Sequence, residues 1–172
     1  ALPISAADIE RLLAPLLAGH DLGLMSEAGC PAVADPGALL VRRAHELGIT
    51  VKPLVGPSSL LLALMASGLD GQRFAFHGYL PAREPDRSRR IAELEAESAR
   101  QGQTQIFIET PYRNLALFAA LLAACKPATR LCVASDLSLA SETVASRRIR
   151  DWKPLPPPAL DKRPTVFLIL AA

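Results

Sequence analysis

One stretch of the chain, residues 26–37, constrains the fold more than any other. It reads Ser-Glu-Ala-Gly-Cys-Pro-Ala-Val-Ala-Asp-Pro-Gly, so two glycines, two prolines and two carboxylates fall within it. An apolar run, residues 22–25, enters this loop, and an apolar helical pattern beginning at Ala38 leaves it. Loops between a strand and a helix often bind ligands, because the first N–H groups of the helix lack partners. A plain connector would use the same residues, so the local pattern leaves both interpretations open.

A second loop of this kind lies at residues 56–59, which read Gly-Pro-Ser-Ser. We expect strands at residues 22–26 and 49–55 with a helix between them, which makes a right-handed βαβ unit with parallel strands. Parallel strands place the loops that follow them at one edge of the sheet, so both loops should face one crevice. The alternative is that Ser58 only caps the helix after it. Two such loops at one edge favour the crevice.

The remaining patterns predict an α/β protein with two subdomains, residues 1–72 and residues 73–172. Apolar periodicity and β-branched runs indicate the elements, which are helices at residues 5–18, 60–66, 91–100 and 115–125 and strands at residues 104–109, 130–134, 143–149 and 165–170. The last strand is apolar throughout, which suits a central position in a sheet.

Three local features refine these elements. Ser5 and Asp8 resemble a capping box at the start of the first helix. Asp35 is expected to cap the helix after the central loop, with Pro36 at its first position, where a missing N–H costs nothing. Trp152 is expected to be a hydrophobic anchor.

Composition limits the class of protein. Of 172 residues, 50% are hydrophobic and 21% are charged, which is enough apolar material for a globular core. A net charge of +2 neither requires nor excludes a nucleic-acid partner. The cysteines, Cys30, Cys125 and Cys132, lack a CxxC spacing, which favours a reducing compartment over a disulfide framework or a zinc site. No apolar run reaches the ~18 residues of a membrane span and the start has no signal-peptide pattern, so we expect a cytoplasmic protein.

Two groups of charged residues are candidates for ligand contacts. Arg83, Arg87, Arg89 and Arg90 precede or begin a charged helix. They suit an anionic substrate, or they form a solvated helix face with a basic first turn. Glu109 ends an apolar strand next to a proline turn, where it is either a ligand contact or the partner of Arg113 in a structural ion pair.

The residues alone lead to a two-subdomain α/β protein with a cleft at Gly29 and Gly56. The sequence contains no P-loop, no Rossmann glycine motif, no zinc signature and no nucleophile elbow. Its histidines, His20, His45 and His77, form no constellation with cysteine or serine in the sequence.

Four segments together carry a resemblance to a known family. They are Ser-Glu-Ala-Gly-Cys-Pro at 26–31 with Asp-Pro-Gly at 35–37, Pro-Leu-Val-Gly-Pro-Ser-Ser at 53–59, Phe-His-Gly-Tyr-Leu-Pro at 76–81 and Ile-Glu-Thr-Pro-Tyr-Arg at 108–113. In this order and spacing they resemble the tetrapyrrole methylase superfamily, and within it the branch of small-subunit ribosomal RNA methyltransferases that act on the 2′-oxygen of cytidine. The resemblance covers nearly the whole chain.

The resemblance implies a tetrapyrrole methylase-like α/β fold, two subdomains with S-adenosylmethionine in the cleft between them, and a homodimer. The residues that it places at the cofactor are Ala28, Gly29, Cys30, Pro31, Ser58, Ser59, Phe107, Ile108, Glu109, Ala134, Pro164, Thr165 and Val166. The substrate, ribosomal RNA of the small ribosomal subunit, would meet a set of arginines, namely Arg83, Arg87, Arg89, Arg90 and Arg113. No metal is implied.

The chain departs from the family pattern at several places. Cys30 stands where the ribosomal RNA methylases often have threonine, and residues 134–139 lack an arginine and a lysine of the usual segment. In the last loop, Lys162-Arg163-Pro164 stands where Gly-Glu is usual. The family's first strand and its glycine-rich turn have no counterpart, and the sequence begins without an initiator methionine. We therefore expect a fragment of a longer chain that binds the cofactor weakly by itself.

Methyl transfer from a sulfonium is an in-line displacement, so positioning the acceptor oxygen supplies most of the acceleration. A ribose hydroxyl is a poor nucleophile, and a general base would add roughly two to four orders of magnitude. Glu109 and Glu27 are the candidate bases, although Glu27 and Asp35 also suit a scaffold role. The alternatives are a tetrapyrrole carbon methylase and an inactive cofactor-binding or dimerisation module.

Overall fold

The structure is a computed structural model that describes residues 6–172, with side chains from residue 8 onward. The predicted cap at Ser5 lies outside the described residues. The chain divides into two compact units, Ala1–Ser58 and Ser59–Ala172. This boundary lies before the predicted division after residue 72, and the assignment of the two subdomains stays a prediction.

Two helices form the core of the first unit. Helix α1 spans Ala6–Leu17 and helix α2 spans Ala38–Glu46. They bury Leu13 against Leu40 and Ala44, with a rim of partly buried aliphatic side chains at Ile9, Leu12, Leu16, Leu47 and Ile49. The periodic apolar positions of both helices thus serve one small shared core, as their sequence pattern predicts.

The strands predicted at residues 22–26 and 49–55 are wrong, because the described part of this unit has no strand. Met25 is 88% exposed and Leu54 is 91% exposed. A parallel pair is stable when both of its faces are covered and further strands flank it. The described residues of this unit offer neither, since their helices bury only one small cluster.

The predicted cap at Asp35 is also wrong. Helix α2 begins at Ala38, with Gly37 as its N-cap at φ 137°. That backbone conformation favours glycine. A Cβ atom at Gly37 would also lie 3.0 Å from the side chain of Leu24. The sharp turn at Gly37 places the start of the helix after the proline, which leaves the carboxylate of Asp35 outside the cap.

The second unit is a five-stranded mixed sheet covered by helices. Its elements are α3 Ser59–Ser67, β1 Phe74–Tyr79, α4 Asp86–Gln101, β2 Thr104–Ile108, a 3-10 turn Pro111–Arg113, α5 Asn114–Ala124, β3 Arg130–Ser135, β4 Thr143–Arg148, α6 Ile149–Trp152 and β5 Thr165–Leu170. The strand order is β1-β2-β5-β3-β4, and only β1 and β2 are parallel. This confirms the predicted strands and the central position of β5. Strand β1 was not among the predicted strands.

The sheet carries a core on each face. On one face, Phe107 and Phe167 stack at 6.2 Å between ring centroids beneath α4 and α5. On the other face, Ala63 and Leu64 of α3 pack on apolar side chains of the strands, which are Ile106, Cys132, Ala134, Val166 and Leu168. Successive residues of β5 alternate between the two faces, which explains why its sequence is continuously apolar.

None of the helices over residues 6–172 combines the length and the apolar character that crossing a bilayer requires.

Candidate active site

The two predicted loops of the first unit contact each other. The thiol of Cys30 lies 3.5 Å from the carbonyl oxygen of Pro57, so the loop at residues 26–37 touches the loop at residues 56–59. The parallel strands from which a common crevice was predicted are absent from the described residues, and the crevice itself stays a prediction. The contact is a thiol-to-carbonyl hydrogen bond between residues far apart in the chain.

The central loop has an unusual backbone. Gly29 has φ 75°, and two alanines, Ala32 with φ 65° and Ala34 with φ 55°, also take the left-handed conformation. The left-handed conformation costs a residue other than glycine roughly 1–2 kcal/mol, a cost that applies to both alanines. Ser26 holds the start of the loop, since its hydroxyl donates to Ala28 O at 2.7 Å and accepts from Ala28 N at 3.3 Å. Backbone of this kind clusters at ligand sites, which favours a binding loop over a connector.

The loop presents open backbone to a ligand. Glu27, Ala28 and Gly29 are exposed, and Cys30 and Pro31 are half-buried. A Cβ atom at Gly29 would meet nothing within 4 Å, so a ligand can approach the chain closely there. Glu27 is exposed and has no ion pair among the described residues.

In the second unit, most of the predicted cofactor residues form one cluster. The antiparallel register places Ile108 opposite Val166 and Ala134 opposite the same Val166. Thr165 lies opposite Ser135, and their hydroxyls are 2.9 Å apart. The end of β2, the end of β3 and the start of β5 therefore meet at one edge of the sheet, which we call the site edge.

Phe107 does not join this cluster through its side chain. It is fully buried on the opposite face of the sheet, stacked on Phe167. Because neighbouring residues of a strand alternate between faces, Phe107 could reach a ligand at the site edge only through its backbone. Pro164 is exposed, and its carbonyl oxygen accepts a hydrogen bond from Asp136 N at 2.9 Å.

Glu109 directly follows the site edge and pairs with Arg113. Its Oε1 accepts from Thr110 N at 2.6 Å and from Arg113 Nη2 at 2.8 Å. This confirms the structural ion pair, and the hydrogen bond to Glu109 raises the pKa of Arg113. The Glu109 side chain is fully buried, and its Oε2 has no partner among the described residues. One oxygen is thus committed to structure, and the other is an orphaned acceptor.

A polar cluster beside the site edge was not predicted. Asp136 accepts from Ser141 Oγ at 2.8 Å and from Arg163 Nε at 2.7 Å, and these two bonds hold the pKa of Asp136 below its ordinary value. Arg163 also donates to the carbonyl oxygens of Ala159 and Ser141. The two loops that flank the site edge are therefore tied together. The opposite charges of Asp136 and Arg163 were the only sequence signal for this cluster.

The arginines predicted to meet substrate are largely neutralised within α4 and its preceding turn. Arg87 pairs with Glu84 at 2.8 Å, and Arg89 pairs with Asp86 at 3.2 Å. Arg90 pairs with Glu93 at 3.1 Å and also contacts His77. Arg83 is exposed and has no ion pair among the described residues. Most of their charge is neutralised by these local ion pairs, and their role toward a substrate stays a prediction.

The three cysteines are free thiols in unlike surroundings. Burial raises the pKa of Cys125 and of Cys132 to about 12. Cys30 is half-buried in the loop contact. Over the described residues, no group of His, Cys, Asp and Glu side chains could hold a metal ion.

Sequence comparison connects this geometry to a family. Residues 4–152 match the family described as Tetrapyrrole (Corrin/Porphyrin) Methylases. The chain belongs to this family. The loop at residues 26–37 and strands β2 and β3 lie within the matched region, whereas β5 lies beyond it.

Several curated members of the family are similar in sequence. A protein of Pseudomonas aeruginosa named ribosomal RNA small subunit methyltransferase I is 38% identical over 145 residues, which are 83% of this chain and 50% of that protein. A protein of the same name from Xylella fastidiosa is 45% identical over 104 residues, which are 60% of this chain and 37% of that protein. The chain thus spans about half the length of these relatives.

Solved structures of tetrapyrrole methylases share the fold. A uroporphyrin-III C-methyltransferase from Thermus thermophilus covers 98% of this chain and 72% of its own with TM-score 0.59 and 21% identity. A structure of such an enzyme with S-adenosyl homocysteine covers 96% of this chain and 73% of its own with TM-score 0.52 and 20% identity. A diphthine synthase covers 97% of this chain and 67% of its own, with TM-score 0.60 and 15% identity. At these identities the likeness establishes the fold.

Proposed function

We propose that the protein is an S-adenosylmethionine-dependent methyltransferase that methylates a cytidine 2′-hydroxyl in small-subunit ribosomal RNA. The observation that carries this proposal is the 38% identity, over 83% of the chain, to a ribosomal RNA small subunit methyltransferase I. The cytoplasm, where ribosomes work, is the proposed location, and a homodimer is the proposed assembly.

The residues present suit S-adenosylmethionine. This cofactor has hydrogen-bond donors on its ammonium group, ribose and adenine, and an anionic carboxylate. The buried Oε2 of Glu109 is an acceptor without a partner among the described residues, which matches one of those donors. The open backbone at Ala28 and Gly29 allows close approach of the methionine part, and Ser58 and Ser59 offer hydroxyls. The apolar side chains of Ile108, Ala134 and Val166 suit the adenosine part.

The cofactor, when bound, supplies an activated methyl group, and the chain's task is to position the acceptor oxygen in line with it. Of the two candidate bases, Glu27 fits the proton-accepting role better. It is exposed on the open loop and has no ion pair among the described residues. Glu109 uses one oxygen for Thr110 and Arg113 and is fully buried. We assign Glu109 to positioning and Glu27 to proton acceptance.

The direct test is methyl transfer by the intact natural protein. Small ribosomal subunits that lack the modification, incubated with tritiated S-adenosylmethionine, are expected to gain label in RNA, and nuclease digestion should yield 2′-O-methylcytidine. Uroporphyrinogen III serves as the competing acceptor. Label in the tetrapyrrole but not in RNA, or label in neither, would contradict the proposal.

Alkylation of the thiols tests the loop separately. At about pH 8, iodoacetamide is expected to modify Cys30 and to leave Cys125 and Cys132 intact, because a thiol with a pKa of about 12 is ionised in only about one molecule in ten thousand. Saturating S-adenosylmethionine should slow the modification of Cys30 in the intact protein. Peptide mass spectrometry measures both effects. The Cys30→Ser variant is the matched control and should take up no label.

Two results would contradict this assignment of the loop. The first is modification of Cys125 or Cys132 at the rate of Cys30 in the folded protein. The second is a rate at Cys30 that the cofactor leaves unchanged at concentrations that support methyl transfer. In denaturant, all three thiols should react, which verifies that the reagent reaches each of them.

A further inference from the structure

A concentration of positive charge lies at the β4 edge of the sheet. Residues 143–153 hold four cations and one carboxylate, a net charge of +3, whereas the whole chain has +2. Arg130 at the start of β3 adds to the group. We call this surface the basic edge, and its members are Arg130, Arg147, Arg148, Arg150 and Lys153.

Unlike the arginines of α4, those of the basic edge are mostly without acidic partners. Among the described residues, no carboxylate lies within ion-pair distance of Arg130, Arg147, Arg148 or Lys153, and Arg150 has only Asp151 at 3.7 Å. Four of the five side chains are exposed, and Arg148 is half-buried. Their charge is therefore available to an external anion. In contrast, Arg87, Arg89 and Arg90 are each paired with a neighbouring carboxylate.

Two of these arginines lie directly opposite each other. The register of β3 and β4 pairs Arg130 with Arg148. Like charges in directly opposed positions of an antiparallel pair repel and destabilise it. A bound anion between the two guanidinium groups would remove that repulsion, and the planar fork of arginine suits the oxygens of a phosphate.

The basic edge also has the position that a long substrate needs. Strand β4 ends the strand order, so its outer side is not covered by another strand. Arg130 and Ser135 are the two ends of β3, and Ser135 lies at the site edge. Six residues of strand span roughly 17 Å, about the length of five stacked nucleotides. A nucleic acid held at the basic edge can therefore continue to the site edge.

We propose that the basic edge binds the phosphate backbone of the RNA substrate, with Arg130 and Arg148 sharing one phosphate. This inference rests on the proposed function, because it identifies the surface that holds the proposed ribosomal RNA. The competing explanation is that cations on an edge strand only prevent edge-to-edge aggregation. If the edge binds RNA, loss of its charge should weaken RNA binding. If its charge only prevents aggregation, loss of charge should leave RNA binding unchanged.

The test measures RNA affinity of the intact natural protein by fluorescence anisotropy with a fluorescein-labelled RNA hairpin over a range of KCl concentrations. The double variant Arg130→Gln/Arg148→Gln is compared with Arg42→Gln/Arg100→Gln, which removes the same charge from exposed positions on α2 and α4. Each lost phosphate contact should weaken binding about fivefold at 0.15 M salt and lower the salt slope by about 0.7–0.9. Because Arg130 and Arg148 share one phosphate, we expect roughly fivefold weaker binding for the first variant and less than twofold for the control.

A second double variant, Arg150→Gln/Lys153→Gln, changes residues that are outside the paired strands. It therefore tests the loss of charge without altering strand pairing. It should weaken RNA binding by a similar factor, with the fluorescence of Trp152 unchanged. If both variants bind RNA as tightly as the control, the inference is overturned. If they also aggregate more than the control, the protective explanation is supported. If the natural protein transfers no methyl group to RNA, yet both variants weaken its RNA binding, the proposed function is overturned and the basic edge stands.

Discussion

Replacing Trp152 by alanine is expected to lower the free energy of unfolding of the sheet unit by about 4 kcal/mol, within the range of about 3–5 kcal/mol for truncating a buried aromatic side chain. Trp152 is 3% exposed. Its Nε1 donates to Leu131 O at 3.0 Å, and its ring meets Phe118 edge-on at 5.3 Å between centroids. The guanidinium of Arg147 lies 4.8 Å from the ring centroid. One side chain thus joins β3, β4 and α5.

The matched control is Trp152→Phe, which keeps an aromatic ring and loses the N–H donor. It should cost about half as much, because most of the apolar contact remains and only the hydrogen bond to Leu131 and part of the indole volume disappear. Urea unfolding followed by circular dichroism measures both variants, since the chain has a single tryptophan and both replacements remove it. Equal losses for the two variants, or a loss below about 1 kcal/mol for alanine, would contradict this account.

Elements whose stability depends on their own pattern could be predicted from the sequence. The apolar strand β5 and the anchor Trp152 are examples, because a run of five apolar residues or a lone large aromatic needs burial wherever the chain goes. The end of helix α2 is also local, because Gly48, just after the helix, has φ 71°, a conformation that favours glycine.

Elements that depend on distant partners could not be predicted. Residues 22–26 and 49–55 have the composition of strands, yet a strand exists only when other strands pair with it. For the same reason, the polar cluster beside the site edge could not be predicted. Asp136 and Arg163 join loops far apart in sequence, and nothing in the local pattern of either loop indicates the other. The meeting of the two glycine-containing loops was predicted from parallel strands and occurs instead through Cys30 and Pro57.

The second large effect concerns Glu109. Replacing it by alanine should cost about 3 kcal/mol of unfolding free energy, because the change leaves Thr110 N–H without its acceptor and opens a cavity at a fully buried side chain. Glu109→Gln keeps the shape and one acceptor, so it should cost about half as much. The fluorescence of Trp152, which both variants retain, reports unfolding of the same unit in urea.

Arg113 provides the complementary variant. Arg113→Met leaves the Glu109 carboxylate buried with only Thr110 as donor, whereas Glu109→Gln leaves Arg113, about a third of which is exposed and can be hydrated. We therefore expect the unfolding midpoint to fall further for Arg113→Met than for Glu109→Gln. Urea unfolding measures both midpoints. A midpoint for Arg113→Met equal to or above that of Glu109→Gln would contradict the role of the buried charge.

Kinetics of the Glu109→Gln variant in the intact protein separate positioning from proton transfer. If Glu109 only positions the site edge and accepts a donor from the cofactor, kcat should stay within about tenfold while KM for S-adenosylmethionine rises. A general base would instead cost about two to four orders of magnitude in kcat with little change in KM. Glu27→Gln is expected to show that second pattern. Because Glu27 is exposed and unpaired among the described residues, its replacement should leave the unfolding midpoint unchanged, so loss of activity there cannot come from loss of fold.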